Sequence, residues 1–414
     1  MESKRIVIVG AGPSGMMAAI RAGHFSQNVT LIEKNPILGK KLLLSGKGRC
    51  NLTNACDLDS FLRRFSKNGE FLRDAFKKFF NKSLMQFFED RGLKLKIERQ
   101  LRVFPASDSS GSILGILKKE LEKNRVKILY KTPVRDVIVQ EDKVKGVLLS
   151  NNRIIEAEKI ILATGGVSYA FTGSNGEGLE IARKLGHAVN PLKPGLVPLQ
   201  IKQKYPKLLE GLTLKNIRLR FCYEKGRIAS EMGELLFTDF GISGPLVLSL
   251  SARIVDWLWL NRKVYVEIDL KPALSKEQLN NRLLREFSAN SKRTIKNTLK
   301  HLLPQRLVDI FLEIAKIYPD KKVSQITQRE RDSIVSLFKA LRLDIAGSRT
   351  IEEAMVTRGG VSLKDIDPRS MESRRIKGLY LIGEMIDVDA DTGGFNLQAA
   401  FSTGYLAGES AALN

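Results

Sequence analysis

Residues 4–15 read KRIVIVGAGPSG: a short apolar run, Ile6–Val9, passes straight into G-x-G-x-x-G at Gly10, Gly12 and Gly15. The spacing predicts a strand, a tight turn and a helix from about Met16 to Gly23. Asn28–Lys34 (NVTLIEK) predicts the next strand. This is the β-turn-α-β unit that begins a doubly wound α/β sheet. Gly10 permits the turn, Gly12 lets backbone approach a pyrophosphate, and Gly15 lets the helix sit close to the sheet. Pro13 and Ser14 lie between them at the helix start, where free N–H groups and the helix dipole attract phosphate. Glu33 ends the second strand, where an acid accepts hydrogen bonds from a ribose 2′-OH. An acid there disfavours a 2′-phosphate, so the expected ligand is FAD or NAD and not NADP.

Two distant stretches decide between FAD and NAD. ATGG, with Ala163, Thr164 and Gly165, follows the buried-type strand KIILA (Lys159–Ala163). Its small residues let backbone run close to a cofactor. GEMIDVDADTGGFNLQAA spans Gly383–Ala400 after another short apolar strand. Glu384 is placed to hold a ribityl hydroxyl, and Gly393 and Gly394 open a helix at about Asn396. A helix N-terminus aimed at the pyrimidine end of a flavin stabilises its anionic reduced form. The expected cofactor is therefore FAD. No second G-x-G-x-x-G stands between a strand and a helix. Reduced nicotinamide, NAD(P)H, is then expected only as a transient co-substrate, or the substrate itself reduces the flavin.

The chain has 414 residues, 43% of them hydrophobic and 27% charged, values of an ordinary globular protein of two or three domains. The longest apolar stretch, Val247–Leu260, is broken by Arg253 and Asp256, so no membrane span is expected. The N-terminus runs directly into a core strand without a signal peptide, which predicts a cytoplasmic protein. Cys50, Cys56 and Cys222, with His24, His187 and His301, form no zinc-type spacing, so no metal is expected. Cys50 and Cys56 are separated by five residues, where flavin disulfide reductases have four. Cys50 therefore reads as a buried loop cysteine. Tyr169 and Thr172 follow the ATGG turn, either facing the flavin or packing behind it.

The net charge is +23. No basic cluster dominates and aromatics are not interleaved with the basic runs. The charge thus reads first as a Lys-rich solvated face around a small-molecule enzyme. Association with nucleic acid, through runs such as Lys292-Arg293 and Lys321-Lys322, is the alternative.

Phe61, Phe65, Phe76, Phe79, Phe80, Phe87 and Phe88 predict an amphipathic helical stretch over 60–92, with these rings in the core. A further helix is expected over 112–123, and strands near 126–130, 134–140 and 144–149. Pro191, Pro194 and Pro198 mark an exit from this domain. Short alternating strands follow over 196–270, charged helices over 275–345, and strand and loop texture again from Glu352.

Several motifs together resemble the BaiN/YhiN family of bacterial flavoproteins, which are NAD(P)/FAD-dependent and include aminoacetone-oxidase-like members. They are GAGPSG, KLLLSGKGRCNLTN (Lys41–Asn54), ATGGVSYAFTGSNGEG, LFTDFGISGP (Leu236–Pro245), TRGGVSLKDIDPRSMES and GEMIDVDADTGGFNLQ. The resemblance implies a discontinuous Rossmann-like FAD-binding domain interrupted by a β-barrel and a helical part. Its expected boundaries are 1–192 for the first FAD piece, 193–273 for the barrel, 274–347 for the helices and 348–414 for the return. By the same resemblance Gly12, Pro13, Ser14, Glu33 and Lys34 meet the ADP half. Lys40, Lys41, Ser45, Gly46, Arg49 and Asn51 run along the pyrophosphate and flavin, and Val134 offers its backbone to adenine. Glu384, Asp391, Asn396 and Leu397 meet the ribityl chain and isoalloxazine. Asp239 departs from the family, which has histidine there. The implied chemistry is hydride transfer through flavin to an activated C=C bond of a hydrophobic substrate, or amine oxidation. The sequence singles out no catalytic acid or base.

Overall fold

The computed structural model describes residues 4–414. Ile6–Val9 forms β1, and all four side chains are buried, as a strand with neighbours on both edges and both faces covered requires. It is the middle strand of a five-stranded parallel sheet. The order is Leu379–Leu381, Lys159–Leu162, β1, β2 (Val29–Ile32), Lys127–Leu129. The chain leaves β1 for β2 on one side, while Lys159–Leu162 lies on the other. The crevice beyond the carboxyl end of β1 is thus a topological switch point, where such sheets bind ligands.

Helix α1 (Pro13–Gly23) begins with proline at its first turn, where the missing N–H costs nothing. Gly10 has φ +99°, and a Cβ there would lie 2.6 Å from the Ala163 carbonyl oxygen. A Cβ on Gly15 would overlap the Gly10 carbonyl oxygen. The turn is therefore pressed against the end of the neighbouring strand, and only hydrogen fits at either position. The C-terminal helix, Phe395–Leu413, packs along α1 in the same way. Gly404 and Gly408 rest on the backbone carbonyls of Ser14 and Ala18.

The stretch 60–92 is not one helix. It forms Leu58–Leu62, Arg73–Lys78 and Asn81–Glu89. Gly69 packs against the Leu62 carbonyl and turns the chain between the first two. The aromatic core expected there does form, with Phe61 edge-on to Phe76 at 5.3 Å and to Phe395 at 4.7 Å.

Contacts divide the chain into two units: Met1–Gly195 with Ile351–Asn414, and Leu196–Thr350. The crossings fall at 195/196 and 350/351, not at 192/193 and 347/348. Val189–Gly195 stays in the first unit because it pairs antiparallel with Val356–Val361. In the second unit six strands close a barrel, Thr213–Tyr223 pairing at its two sides with Gly233–Phe237 and Tyr265–Asp269. Leu341–Ser348, expected at the end of the helical part, is one of the barrel strands, with Leu341, Leu343 and Ile345 buried on alternate positions. The helices Lys276–Ala289, Gln305–Ala315 and Gln328–Lys339 share this unit's core. Asp239 is exposed at the turn between Gly233–Phe237 and Gly241–Ser243. No helix among the described residues is long and apolar enough to cross a membrane.

Candidate functional site

Two helices from opposite ends of the chain begin without a side-chain cap and without an acid in the first turn: α1 after Gly12, and the C-terminal helix after Gly394. Helix starts normally satisfy their free N–H groups with a Ser, Thr, Asp or Asn side chain. Lys40–Leu44 and Asn81–Glu89 also start uncapped, and a start of this kind leaves donors and a positive dipole end free for an anionic ligand. At Gly12 a Cβ would meet nothing within 4 Å, so open space lies where a pyrophosphate is expected. A dinucleotide fits this donor set.

Glu33 closes the first crevice. It is 8% exposed. One carboxylate oxygen accepts from the Ala11 N–H at 2.9 Å, and the other from the backbone and side-chain amide of Asn35, each at 2.8 Å. The acid is held rigidly at the β2 terminus, as a ribose acceptor must be. Thr132 N–H donates to the Glu33 carbonyl at 3.0 Å, which brings the Pro133–Val134 backbone alongside, where the adenine is expected.

Three lysines of the next segment all grip residues 168–177. Lys34 donates to Asn175 at 2.8 Å and Glu177 at 2.7 Å, and Lys40 to the Phe171 carbonyl at 2.7 Å. Lys41 donates to Ser168 Oγ at 2.8 Å and Glu384 at 2.6 Å. Glu384 is the hub: it also accepts from Thr357 N–H at 2.8 Å and Ser168 Oγ at 3.1 Å. Thr357 Oγ1 in turn accepts from the N–H groups of Val167 at 2.8 Å and Ser168 at 3.1 Å. Gly165, with φ +77°, and Gly383, with φ +69°, bend the two chains around this hub. A Cβ on Gly383 would lie 2.5 Å from Ser14 Oγ, which ties the hub to the start of α1. Thr164 lies beside Met385 and against Gly178.

Ser168 and Thr357 were not singled out from the sequence, although both lie in its motifs (VSYA and TRGG). Their buried hydroxyls are the signal, but burial is not local. Thr357→Val leaves two amide N–H groups without an acceptor, at about 1–3 kcal/mol each if they stay buried. Faster amide exchange at Val167 and Ser168 than in the wild type is the expected result; unchanged exchange overturns this role.

Several expected contact residues are occupied within the protein. The Arg49 guanidinium lies 4.2 Å over the Phe104 ring and pairs with Glu98 and with Asp108 at 2.6 Å. These partners fix the guanidinium against the 95–105 strands. Ser45 Oγ donates to the Leu42 carbonyl at 2.7 Å, and Gly46, with φ +57°, turns the loop toward Asn51. Asn51 accepts from Gly394 N–H at 3.1 Å once its amide is turned to suit its neighbours, so it secures the start of the C-terminal helix. Asn396 uses its amide to clasp Ala390, accepting from the N–H and donating to the carbonyl, both at 2.9 Å. This holds the Asp391 turn; Asp391 N–H donates to the Arg64 carbonyl at 2.9 Å. Leu397 is half-buried against the core.

Cys50 and Cys56 are both free thiols. Burial pushes the Cys50 thiol up to about 12, so it carries no thiolate at neutral pH. Cys50→Ala is expected to leave flavin reduction within about twofold of wild type; a loss above tenfold in a stopped-flow trace would restore the dithiol reading. His187 is a satisfied core residue, 2.7 Å from Ser373 Oγ and 3.1 Å from the Ala182 carbonyl. Burial raises the Tyr169 phenol, whose ring packs edge-on to Phe171 at 5.8 Å. Thr172 is buried and donates to the Tyr169 carbonyl at 2.8 Å.

The sheet, the bare helix starts and the acid after β2 define a dinucleotide-dependent oxidoreductase of the FAD type. The chain belongs to the family described as HI0933-like protein Rossmann domain, which matches residues 4–410. It is 32% identical over 411 residues to a 3-dehydro-bile acid delta(4,6)-reductase of Clostridium scindens, covering 99% of both chains. It is 31% identical over 406 residues to a ribosomal RNA dihydrouridine synthase of Escherichia coli, covering 98% of this chain and 97% of that one. Among solved structures, a 3-ketosteroid delta1-dehydrogenase from Sterolibacterium denitrificans shares the fold, with TM-score 0.54, 12% identity and full coverage of both chains. An E. coli quinol fumarate reductase chain gives TM-score 0.52 at 18% identity, covering 100% of this chain and 70% of that one.

Proposed function

We propose that the chain uses FAD and NAD(P)H to reduce a C=C bond conjugated to a carbonyl, and that this bond is C5=C6 of uridine in RNA. The names of the two full-length relatives describe one reaction type. A 3-oxo steroid with unsaturation at C4 and C6 and a uracil ring each present an alkene conjugated to C=O. Such an alkene accepts hydride at the carbon remote from the carbonyl, and a proton completes the saturation. When bound, FAD supplies the hydride-transfer chemistry. The chain's own contribution is orientation and charge. Glu33 holds the ribose end, and the Lys41–Glu384–Thr357 hub fixes the two chain segments between which the ribityl part fits. The bare start of the C-terminal helix places positive potential where reduction leaves negative charge.

One observation favours RNA over a steroid: the charge of +23. Residues 196–350 alone contain 28 Lys and Arg against 16 Asp and Glu, a net +12. A steroid gains little from such a field, whereas a polyanion gains affinity with every phosphate neutralised. On this reading the charge serves substrate binding as well as a solvated face.

The test is an anaerobic titration. NADH or NADPH is expected to bleach the flavin band, and transcribed ribosomal RNA to restore it, with dihydrouridine appearing in the RNA by mass spectrometry. Restoration by a conjugated steroid dienone and not by RNA overturns the RNA reading. Bleaching by an amine with peroxide formation, and none by nicotinamide, overturns the reductase reading.

A further inference from the structure

Leu95–Ile97 and Arg102–Pro105 form a β-hairpin, with Leu95 opposite Pro105 and Ile97 opposite Val103. Its tip is Arg99–Leu101, where Gln100 and Leu101 adopt φ +60° and +58°. Three features set this tip apart. It displays aliphatic side chains to solvent: Ile97 is 53% and Leu101 48% exposed. Its acids are already used, Glu98 by Arg49 and Lys96, and the nearby Asp108 by Arg49 at 2.6 Å and Lys96 at 2.6 Å. Arg99 and Arg102, by contrast, have no carboxylate within ion-pair distance among the described residues; Arg102 Nε donates to the Arg99 carbonyl at 3.1 Å, and its guanidinium lies 5.9 Å from the Phe104 ring centre. The tip is also fastened to the candidate site. Asn54 Nδ2 donates to the Gln100 carbonyl at 2.9 Å and to the Gly393 carbonyl at 3.2 Å, and Ala55 N–H donates to the Leu101 carbonyl at 2.8 Å. One asparagine thus links the tip to the turn that opens the C-terminal helix.

A lone apolar tip beside a flavin site would suit a steroid or a second protein. Guanidinium groups without a carboxylate partner, beside exposed aliphatic side chains, suit nucleic acid. A base inside folded RNA is stacked and must leave its stack to meet a cofactor, at a cost of a few kcal/mol that an inserted side chain offsets by filling the gap. We propose that the 95–105 hairpin is the RNA wedge of this enzyme: Arg99 and Arg102 hold phosphates beside the target, and Leu101 and Ile97 enter the space the base vacates. This rests on the RNA reading above.

The experiment uses the FAD-loaded full chain and a synthetic RNA stem-loop carrying 2-aminopurine next to a loop uridine. Its fluorescence rises when the neighbouring base unstacks. Wild-type protein is expected to bind with strong salt dependence and to raise the signal. The double variant Arg99→Gln/Arg102→Gln is expected to bind about tenfold more weakly and to flatten the slope of log K against log salt by about 1.4, two single-strand phosphate contacts. Leu101→Asn, whose side chain tolerates the left-handed backbone, is expected to bind within about threefold of wild type yet to lose the fluorescence rise. An unchanged FAD absorbance ratio shows that each variant is folded. Variants that match wild type in slope and fluorescence overturn the wedge while the RNA reading stands. Wild-type protein that does not bind the stem-loop overturns both. Concentration-dependent dimerisation abolished by the same variants assigns the hairpin to a second copy and overturns the wedge.

Discussion

Gly404→Val is expected to drive the last helix off the first and to leave a protein that no longer retains flavin. A Cβ at Gly404 would overlap the Ser14 carbonyl oxygen, with the Ser14 carbonyl carbon 3.0 Å away. The obstacle is backbone, which cannot swing aside. Helix propensity works in the other direction, since any residue but proline gains up to about 1 kcal/mol over glycine in a helix interior. Overpacking costs about 1–3 kcal/mol even against movable side chains, so the steric penalty wins. The expected net loss is about 3 kcal/mol, a fall in melting temperature on the order of 6–10 °C for a unit of this size. Differential scanning calorimetry with the flavin-to-protein absorbance ratio measures both consequences. A melting temperature within about 2 °C of wild type shows that the helices separate without cost.

Gly12→Val should behave in the opposite way. Gly12 has φ −75°, open to any residue, and a Cβ there would meet no atom within 4 Å. The protein without cofactor is expected to lose less than about 1 kcal/mol, the cost of a poorer residue before a helix start. The added methyl groups instead fill the space in front of the α1 N–H donors. Several charge-assisted hydrogen bonds to pyrophosphate are then blocked, each worth about 1.5–3 kcal/mol. FAD affinity is expected to fall by more than about 100-fold. Calorimetric titration of the stripped protein decides it. Affinity within tenfold of wild type would place the pyrophosphate elsewhere. Taken together, the two glycines separate the architecture from the ligand: one substitution attacks the scaffold, the other the vacant approach to it.

How far the sequence reveals this architecture depends on distance along the chain. Gly10, Gly12, Gly15 and Glu33 belong to one strand-turn-helix-strand unit, whose geometry is set by neighbours in sequence, and all four are legible. The glycines before the C-terminal helix are legible for the same reason. The 60–92 stretch was not, because its phenylalanines keep a helical spacing across a turn that only the Leu62–Gly69 contact creates. Leu341–Ser348 alternates buried and outward residues as a strand should, but it follows directly on a charged helix, and its partners lie at 199–201 and 265–268. Side-chain commitments were the least legible. Nothing near Arg49 in sequence says that Glu98 and Asp108 will claim it. Nothing near Asn396 says that its amide will hold Ala390. Ser168 and Thr357 became visible as parts of the site only when strands from distant parts of the chain met at Glu384.

The placement of β1 sets a timetable for biosynthesis. Its sheet partner Lys159–Leu162 emerges from the ribosome before the second unit, but Leu379–Leu381 and the helix that rests on α1 emerge only after the whole of 196–350. Until then α1 exposes a groove of bare backbone shaped for Gly404 and Gly408. The nascent chain must keep that groove open while a second unit of 155 residues folds between its two halves. A chain cut before Phe395 lacks the helix that covers this groove, and α1 is left with one face bare.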